Sequence, residues 1–166
     1  MRLFSSLLFA FIASLCVSAA DPYNPVAEAS AMIREGKAEC VLIREGKIVY
    51  VERGRGVSPL LNVYDQHKEE MKGAIVVDKV IGRAAASIAI CGKVTHVHGE
   101  IMSEDAVEFL KENGITAGST LLVPRILNRK RDGLCPLEKS VEGIRDPEKA
   151  LTALRAKIEA LKSGRQ

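Results

Sequence analysis

The sequence of 166 residues contains no tryptophan, and only 4% of its residues are aromatic. A chain with so few aromatic rings offers few surfaces on which the bases of a single-stranded nucleic acid could stack. The formal net charge of +3 is too small to indicate binding to a nucleic-acid duplex. We therefore expect no nucleic-acid partner.

The sequence also lacks the short motifs of common nucleotide and hydrolase sites. It contains no Walker A sequence, no dinucleotide-binding glycine pattern and no Gly-x-Ser-x-Gly. A His-x-Glu triplet stands at 98–100, but only the single Cys135 follows it, whereas zinc deaminases carry Pro-Cys-x-x-Cys. One cysteine and one histidine do not complete a tetrahedral site, so we expect no metal and no cofactor.

Only the N-terminal segment contains a long apolar run, from Leu3 to Val17, and the small residues Ser18 and Ala20 follow it. This pattern is typical of a secretory signal peptide over residues 1–20. The run is short for a membrane span, so an uncleaved anchor is the less favoured alternative. We expect an exported protein, periplasmic or secreted, with no stable membrane insertion after cleavage.

Cleavage after Ala20 would leave three cysteines, which is an odd number and gives no complete set of disulfides. Cys40 and Cys91 lie in apolar runs, where cysteine usually serves as a small buried hydrophobic residue. Cys135 is then the candidate free thiol.

The remainder of the chain alternates helical and strand patterns. Helix starts are indicated at Asn24-Pro25, Ser58-Pro59, Ser103 and Asp146-Pro147. A hairpin followed by alternating strands and helices predicts a three-layer α/β/α sandwich with a mixed sheet of about five strands. We expect one domain over residues 21–145 and a helical extension over residues 146–166.

Polar residues at the carboxyl ends of strands are the first candidates for a site in an α/β protein. Asp78 and Lys79 follow the apolar run "GAIVV" and precede a helix rich in Gly and Ala. Asp78 could cap that helix, and Lys79 could point into water. A lysine packed between apolar residues would instead have its charged form disfavoured, which suits a nucleophile, a proton carrier or an anion ligand.

The stretch "RDGLCPLEKS" provides the second group of candidates. Pro136 suits the first position of a helix, which puts Cys135 at the N-cap and Glu138 where a capping box places its glutamate. A thiol at this place faces unpaired N–H groups and the positive end of the helix dipole, which favour the thiolate. Capping alone could explain the motif, but Ser, Asp or Asn would cap a helix better than Cys.

Five segments of the chain resemble an uncharacterised prokaryotic family of unknown function with a cytidine-deaminase-like fold. The segments are "AMIREGKAECVLIREGKIVY", "RGVSPLL", "KGAIVVDKVIGRAAA", "SEDAVEFLKENGI" and "VPRILNRKRDGLCPLEKSV". The resemblance implies an α/β/α fold without the zinc-binding signature and a pocket where deaminases hold their metal. It also implies these site residues: Asp78, Lys79, Ser103, Asn128, Arg129, Cys135 and Glu138. The signal peptide and the Asp146–Gly164 helix are expected to be additions to the family pattern.

Two hypotheses for function follow. In the first, the protein binds or transforms a small, nucleobase-like or anionic ligand: Lys79 binds or attacks it, Asp78 orients Lys79, and Cys135 acts as nucleophile or acid/base. Ser103, Asn128, Arg129 and Glu138 would complete the binding site. In the second, the same scaffold is a non-catalytic binding or sensing module.

The apolar stripe Leu151–Leu161 suits docking onto the domain or, less favoured, self-association into a homo-oligomer.

Overall fold

A computed structural model of the protein describes residues 23–164. The predicted signal peptide, residues 1–20, lies outside the described residues. The helices are α1 (Pro25–Arg34), α2 (Ser58–Gln66), α3 (Lys68–Met71), α4 (Arg83–Cys91), α5 (Glu104–Glu112), α6 (Pro136–Val141) and α7 (Pro147–Lys162). The strands are β1 (Cys40–Arg44), β2 (Lys47–Glu52), β3 (Ile75–Ile81), β4 (His96–Ser103) and β5 (Thr116–Val123).

The five strands form one mixed sheet in the order β2-β1-β3-β4-β5. β1 pairs antiparallel with β2 and β3, whereas β3, β4 and β5 run parallel to one another. The β1–β2 hairpin turns at Glu45 and Gly46, which both have positive φ. The mixed sheet of five strands predicted from the sequence is confirmed.

Helices cover both faces of the sheet, but unevenly. On one face, α1 is the only helix of the described residues that contributes to the core, where Ala29 and Ile33 pack with Val41, Ile43 and Val77. The larger core, on the other face, takes residues from all the remaining helices, α2 to α7. The architecture is thus α/β/α, with one thin and one thick helical layer.

The C-terminal helix α7 is part of the thick layer. Ala150, Leu151 and Leu154 are buried in the larger core, and Ile158 packs against it. The apolar stripe is therefore a docking face on the domain, as its spacing predicts, and only Leu161 at its end is exposed.

Several helix starts follow from local capping. The side chains of Asn24, Ser103 and Asp146 accept hydrogen bonds from the first N–H groups of α1, α5 and α7, as predicted. The sequence predicts Ser58 as a helix cap, but Ser58 lies within the first turn of α2, and the N-cap residue Val57 makes no side-chain bond. The sequence predicts one helix from Ser58 to about Met71, but His67 interrupts it and separates α2 from α3.

The third strand is longer than its apolar run indicates. β3 continues through Asp78 and Lys79 to Ile81, because parallel pairing with β4 extends to Ile81 and Met102. Asp78 and Lys79 are therefore strand residues, and Gly82 is the N-cap of α4. The alternative in which Asp78 caps the following helix is wrong, because Gly82 occupies the N-cap position.

Within residues 23–164, no helix is long and apolar enough to cross a membrane.

Candidate functional site

A cleft of about 550 Å³ lies beyond the carboxyl ends of β4 and β5, where sites of α/β proteins usually form. One wall is α5, and the others come from the segment that follows β5, from α6 and from the turn that follows α6. Its lining residues are Arg83, Ser103, Glu104, Asp105, Glu108, Phe109, Glu112, Pro124, Arg125, Ile126, Leu134, Glu138, Glu142, Gly143 and Arg145. The volume is within the range of small-molecule sites.

Glu138 closes the cleft at the start of α4. Its carboxylate accepts hydrogen bonds from the backbone N–H groups of Arg83, at 2.8 Å, and Ala84, at 3.1 Å. Burial raises the pKa of Glu138, although these two hydrogen bonds act in the opposite direction. Glu138 therefore caps a helix that begins 55 residues earlier in the chain.

This arrangement corrects the predicted capping box. Glu138 does not reach back to its own helix, and the N–H group of Cys135 donates to the carbonyl oxygen of Ile126 at 3.0 Å. Gly82 provides the space for the long-range cap, since a Cβ atom there would overlap the Glu138 carboxyl group. Cys135 is the N-cap residue of α6, as predicted, but its side chain makes no capping bond.

Arg83 joins three elements around the cleft. Its guanidinium group forms an ion pair with Asp105 of α5 and donates to the carbonyl oxygen of Ile144 at 3.0 Å and 3.3 Å. The same group lies over the ring of Phe109, 4.1 Å from the ring centroid. With a buried side chain and a hydrogen bond from each of its three guanidinium nitrogens, Arg83 positions α4, α5 and the turn after α6 relative to one another.

The lining of the cleft carries an excess of negative charge. Six carboxyl side chains and three arginines contribute to it. Asp105 is paired with Arg83, and Glu138 is bound to backbone N–H groups. The carboxylates of Glu104, Glu108, Glu112 and Glu142 remain, against Arg125 and Arg145. Pro124, Ile126 and Leu134 add apolar surface to this acidic lining, whereas Phe109 is fully buried beneath Arg83.

Of the site residues expected from the sequence, the cleft brings together Ser103 and Glu138. Ser103 ends β4, and its Oγ accepts the N–H group of Ala106 at 3.2 Å. The other expected residues are not among those that line this cleft: Asp78, Lys79, Asn128, Arg129 and Cys135.

Asp78 is a buried residue in the middle of the sheet. It pairs with Cys40 in the register of β1 and β3, and its carboxylate accepts the N–H group of Val80 at 3.0 Å. Burial raises the pKa of the Asp78 carboxyl to about 7, and the bonds from Val80 and the Cys40 thiol limit that rise. Cys40 is fully buried, as the sequence indicates, and burial raises the pKa of its thiol.

Lys79 points away from this buried pair and is bound at the surface. Its ammonium group forms a 2.9 Å ion pair with Glu39, and its side chain is 50% exposed. Asp78 therefore does not orient Lys79 through any hydrogen bond that the described part of the chain shows. The roles assigned to these two residues stay predictions.

Asn128, Arg129 and Cys135 belong to an irregular hairpin between β5 and α6. Leu127 bridges to Leu134, and the N–H group of Asn128 donates to the carbonyl oxygen of Gly133 at 2.8 Å. The Asn128 side-chain amide donates to Asp132, and its Oδ1 atom is buried without a partner among the described residues. Asn128 therefore shapes the turn, while Arg129 is exposed.

The His98 and Glu100 side chains of the His-x-Glu triplet lie on the face of the sheet that α1 covers. His98 lies 3.3 Å from the Thr120 hydroxyl, and Glu100 forms a 3.4 Å ion pair with Arg34 of α1. Burial alone would raise the pKa of Glu100, but hydrogen bonds from Ser30, Arg34 and Thr120 lower it on balance. Among residues 23–164, no cluster of three or more His, Cys, Asp or Glu side chains could hold a metal ion.

The sequence motifs single out neither Arg83 nor the acidic wall of the cleft. Glu104, Glu108 and Glu112 recur at intervals of four, which places them on one face of a helix. That spacing was a usable signal for an acidic helix face. The contact of Arg83 with Asp105 and Ile144 had no comparable local signal.

Comparison with solved structures supports the fold. A DUF1893 family protein from Thermotoga maritima superposes with a TM-score of 0.73 at 24% identity, over 82% of this chain and 91% of that one. Two structures of RibD from Acinetobacter baumannii, form 2 and form 1, match with TM-scores of 0.43 and 0.44 at 15% and 14% identity. Each match covers 84% of this chain and 39% of RibD. The RibD similarity is too low to carry an argument about function.

No curated protein matches the sequence significantly. The sequence model of one family, "Domain of unknown function (DUF1893)", matches residues 28–158. The match includes most of α7, so this helix is not an addition to the family, contrary to the expectation from the sequence. The resemblance to a family of unknown function is confirmed: the chain belongs to the DUF1893 family.

Proposed function

We propose that the protein is a binding module for a small molecule that combines an apolar part with a basic or amino group. The ligand occupies the cleft between α5 and the segment that follows β5. The observation that carries this proposal is the charge of the lining, in which four carboxylates without an ion-pair partner among residues 23–164 outnumber two arginines beside an apolar surface. Carboxylates accept charge-assisted hydrogen bonds from ammonium and amino groups.

This charge balance changes the class of ligand expected from the sequence. An anionic ligand would meet Glu104, Glu108 and Glu112 along one wall, and like charges at close range cost several kcal/mol. A nucleobase-like ligand remains compatible, provided that it presents amino groups to the acidic wall. The cleft then orients such a ligand with its ring against the apolar side chains of Pro124, Ile126 and Leu134.

A matched pair of probes tests the proposal. Tryptamine and indole-3-acetate share one aromatic ring system but carry opposite charges, so isothermal titration with each isolates the effect of charge. We expect tryptamine to bind and indole-3-acetate to bind more weakly. Better binding of indole-3-acetate, or no binding of either probe, would contradict the proposal.

Two glutamine variants locate the binding. Glu108→Gln removes one carboxylate from the acidic wall, and we expect it to weaken tryptamine binding by about three- to tenfold, which corresponds to about 0.6–1.4 kcal/mol. Glu45→Gln removes the same charge from the hairpin turn, where the side chain is 85% exposed, and serves as the matched control. Equal effects of the two variants would show that net charge, and not the cleft, determines binding.

The catalytic hypothesis makes a different prediction for the same titration. Asp78 is buried, Lys79 is bound to Glu39, and neither lines the cleft together with Cys135. On our proposal, Lys79→Ala and Cys135→Ser leave tryptamine binding unchanged. A loss of binding in both variants would favour a site that these residues share.

Export is a separate proposal that rests on the sequence of residues 1–20. If the signal peptide is cleaved after Ala20, the mature protein begins at Asp21. N-terminal sequencing of the protein recovered from the periplasm or the medium tests this. Recovery of the protein only inside the cell with Met1 intact would contradict it.

A further inference from the structure

Strand β5 forms an edge of the sheet and lacks the sequence features that usually prevent such an edge from pairing with another chain. Its eight residues, Thr116–Val123, contain no charge and no proline. Natural proteins usually block an exposed edge with charges, proline or a bulge, because the unpaired backbone groups otherwise pair with another chain. The opposite edge, β2, has Lys47 and Glu52 at its ends and pairs with β1 through an irregular register.

The backbone of β5 presents a regular row of unpaired groups. Thr116 donates its N–H group towards β4, to the carbonyl oxygen of Thr95, and the register between the two strands is constant along β5. Alternate residues of a strand direct their N–H and C=O groups to the same side. The odd-numbered residues of β5 therefore turn these groups outwards, where the described part of the chain provides no strand to receive them.

Exposed leucines accompany this open edge. Leu121 and Leu122 are 53% and 52% exposed, and Leu127 follows a few residues later with 49% exposure. Leu121 and Leu122 point to opposite faces of the sheet, because successive strand residues alternate. An added strand would cover an apolar side chain on each face.

The charges that flank β5 fit a second copy of the same strand. Before β5, the last two turns of α5 carry Glu108 and Glu112. After β5, the chain carries Arg125 and then the basic stretch 129–131. When two copies pair antiparallel, the end of each strand lies beside the start of the other, so the basic segment of one copy faces the acidic helix end of its partner.

We propose that the protein forms a homodimer by antiparallel pairing of β5 with β5 of a second copy, which joins the two sheets into one. The pairing is isologous, so each copy contributes the same row of backbone groups and the same leucines. The proposal shares Glu108, Glu112 and Arg125 with the lining of the cleft, but it does not require a ligand, and its tests measure association of the chain and not ligand binding.

Sedimentation velocity of the purified protein over a range of concentrations tests the dimer. We expect a dimer for the wild type and for Leu161→Lys, which adds a charge to the exposed leucine of α7. We expect Leu121→Lys to raise the dissociation constant of the dimer at least about tenfold. A wild type that is monomeric throughout, or dissociation by Leu161→Lys and not by Leu121→Lys, would overturn the proposal.

Amide hydrogen exchange of the wild type provides a second measurement that needs no variant. The outward N–H groups of residues 117, 119, 121 and 123 should gain protection as the concentration rises and the dimer forms. Protection of these groups in a monomer would instead show that another segment of the same chain covers the edge, and it would overturn the dimer.

Discussion

The buried Asp78 carboxyl ties the stability of the protein to pH. In the unfolded chain its pKa is near the ordinary 3.8, and in the folded protein burial raises the pKa to about 7. Between these two values the folded state holds a proton that the unfolded state has released. The free energy of unfolding therefore falls as the pH rises through this window, by up to about 4 kcal/mol from this one group.

Asp78→Asn should remove this dependence. The amide oxygen of Asn can still accept the N–H group of Val80, and it carries no charge to bury. We expect the variant to be more stable than the wild type at pH 8, by about 1–4 kcal/mol, and similar to it near pH 4. Urea unfolding at both pH values measures this difference, with Glu45→Gln as the control for loss of one negative charge. A variant that is less stable than the wild type at pH 8 would contradict the account.

The contact between Glu138 and Gly82 predicts a pair of coupled substitutions. Glu138→Ala removes the cap of α4, and Gly82→Ala displaces the same carboxylate by steric overlap. Each single substitution should destabilise the protein by about 1–2 kcal/mol. Because the backbone at Gly82 is extended and suits alanine, the second substitution should cost little once Glu138 is gone.

A double-mutant cycle measured by chemical denaturation tests this coupling. The account predicts that the double variant loses about as much stability as one single variant. Additive losses would show that Gly82 and Glu138 act independently.

At the residue scale, the sequence predicts contacts that are local and misses those that are not. Asn24, Ser103 and Asp146 cap helices that begin at the next residue, so their roles follow from residue type and position. Glu138 occupies a position that suits a local capping box, yet its carboxylate binds Arg83 and Ala84 across the domain. Only the packing of α6 against α4 makes that partner available.

Among the elements, α7 is the one whose contribution to stability can be tested most directly. Leu154 is fully buried in the larger core, whereas Leu161 in the same helix is 44% exposed. We expect Leu154→Ala to lower the free energy of unfolding by about 2–5 kcal/mol and Leu161→Ala to change it by about 0.5 kcal/mol or less. Thermal and urea unfolding measure both.

The comparison of Leu154→Ala with Leu161→Ala also tests how firmly α7 packs against the rest of the domain. Equal, small effects of Leu154→Ala and Leu161→Ala would mean that α7 is only loosely attached. A truncated chain that ends at residue 145 and still folds with unchanged stability would contradict the packing of α7 against α4 in the same way.

The limits of prediction at the element scale concern strand ends. The apolar run that starts β3 stops at Val77, and the charged pair that follows resembles the end of a strand. Pairing with β4 carries the strand on to Ile81, because neighbouring strands, not local propensity, determine where a strand ends. β5 likewise begins at Thr116, three residues before the β-rich run "STLLV" that starts at Ser119.

For the whole molecule, the order of helices and strands in the sequence predicts the mixed sheet and its helical layers. It does not predict which residues line the cleft. The sequence places reactive side chains at strand ends and helix starts, but it does not show which of them face one cleft. The fold separates Asp78 and Lys79 from the cleft and brings Arg83 and the acidic face of α5 into it. Those contacts arise from tertiary packing alone.

Native mass spectrometry of freshly purified protein shows whether the cleft holds a ligand. We expect a bound small molecule, one per chain, that contains basic or amino nitrogen and is lost in a Glu108→Gln, Glu112→Gln double variant. The wild type and Glu45→Gln should both retain it. An anionic ligand without such nitrogen, or a ligand that the double variant retains as tightly as the wild type, would contradict the account.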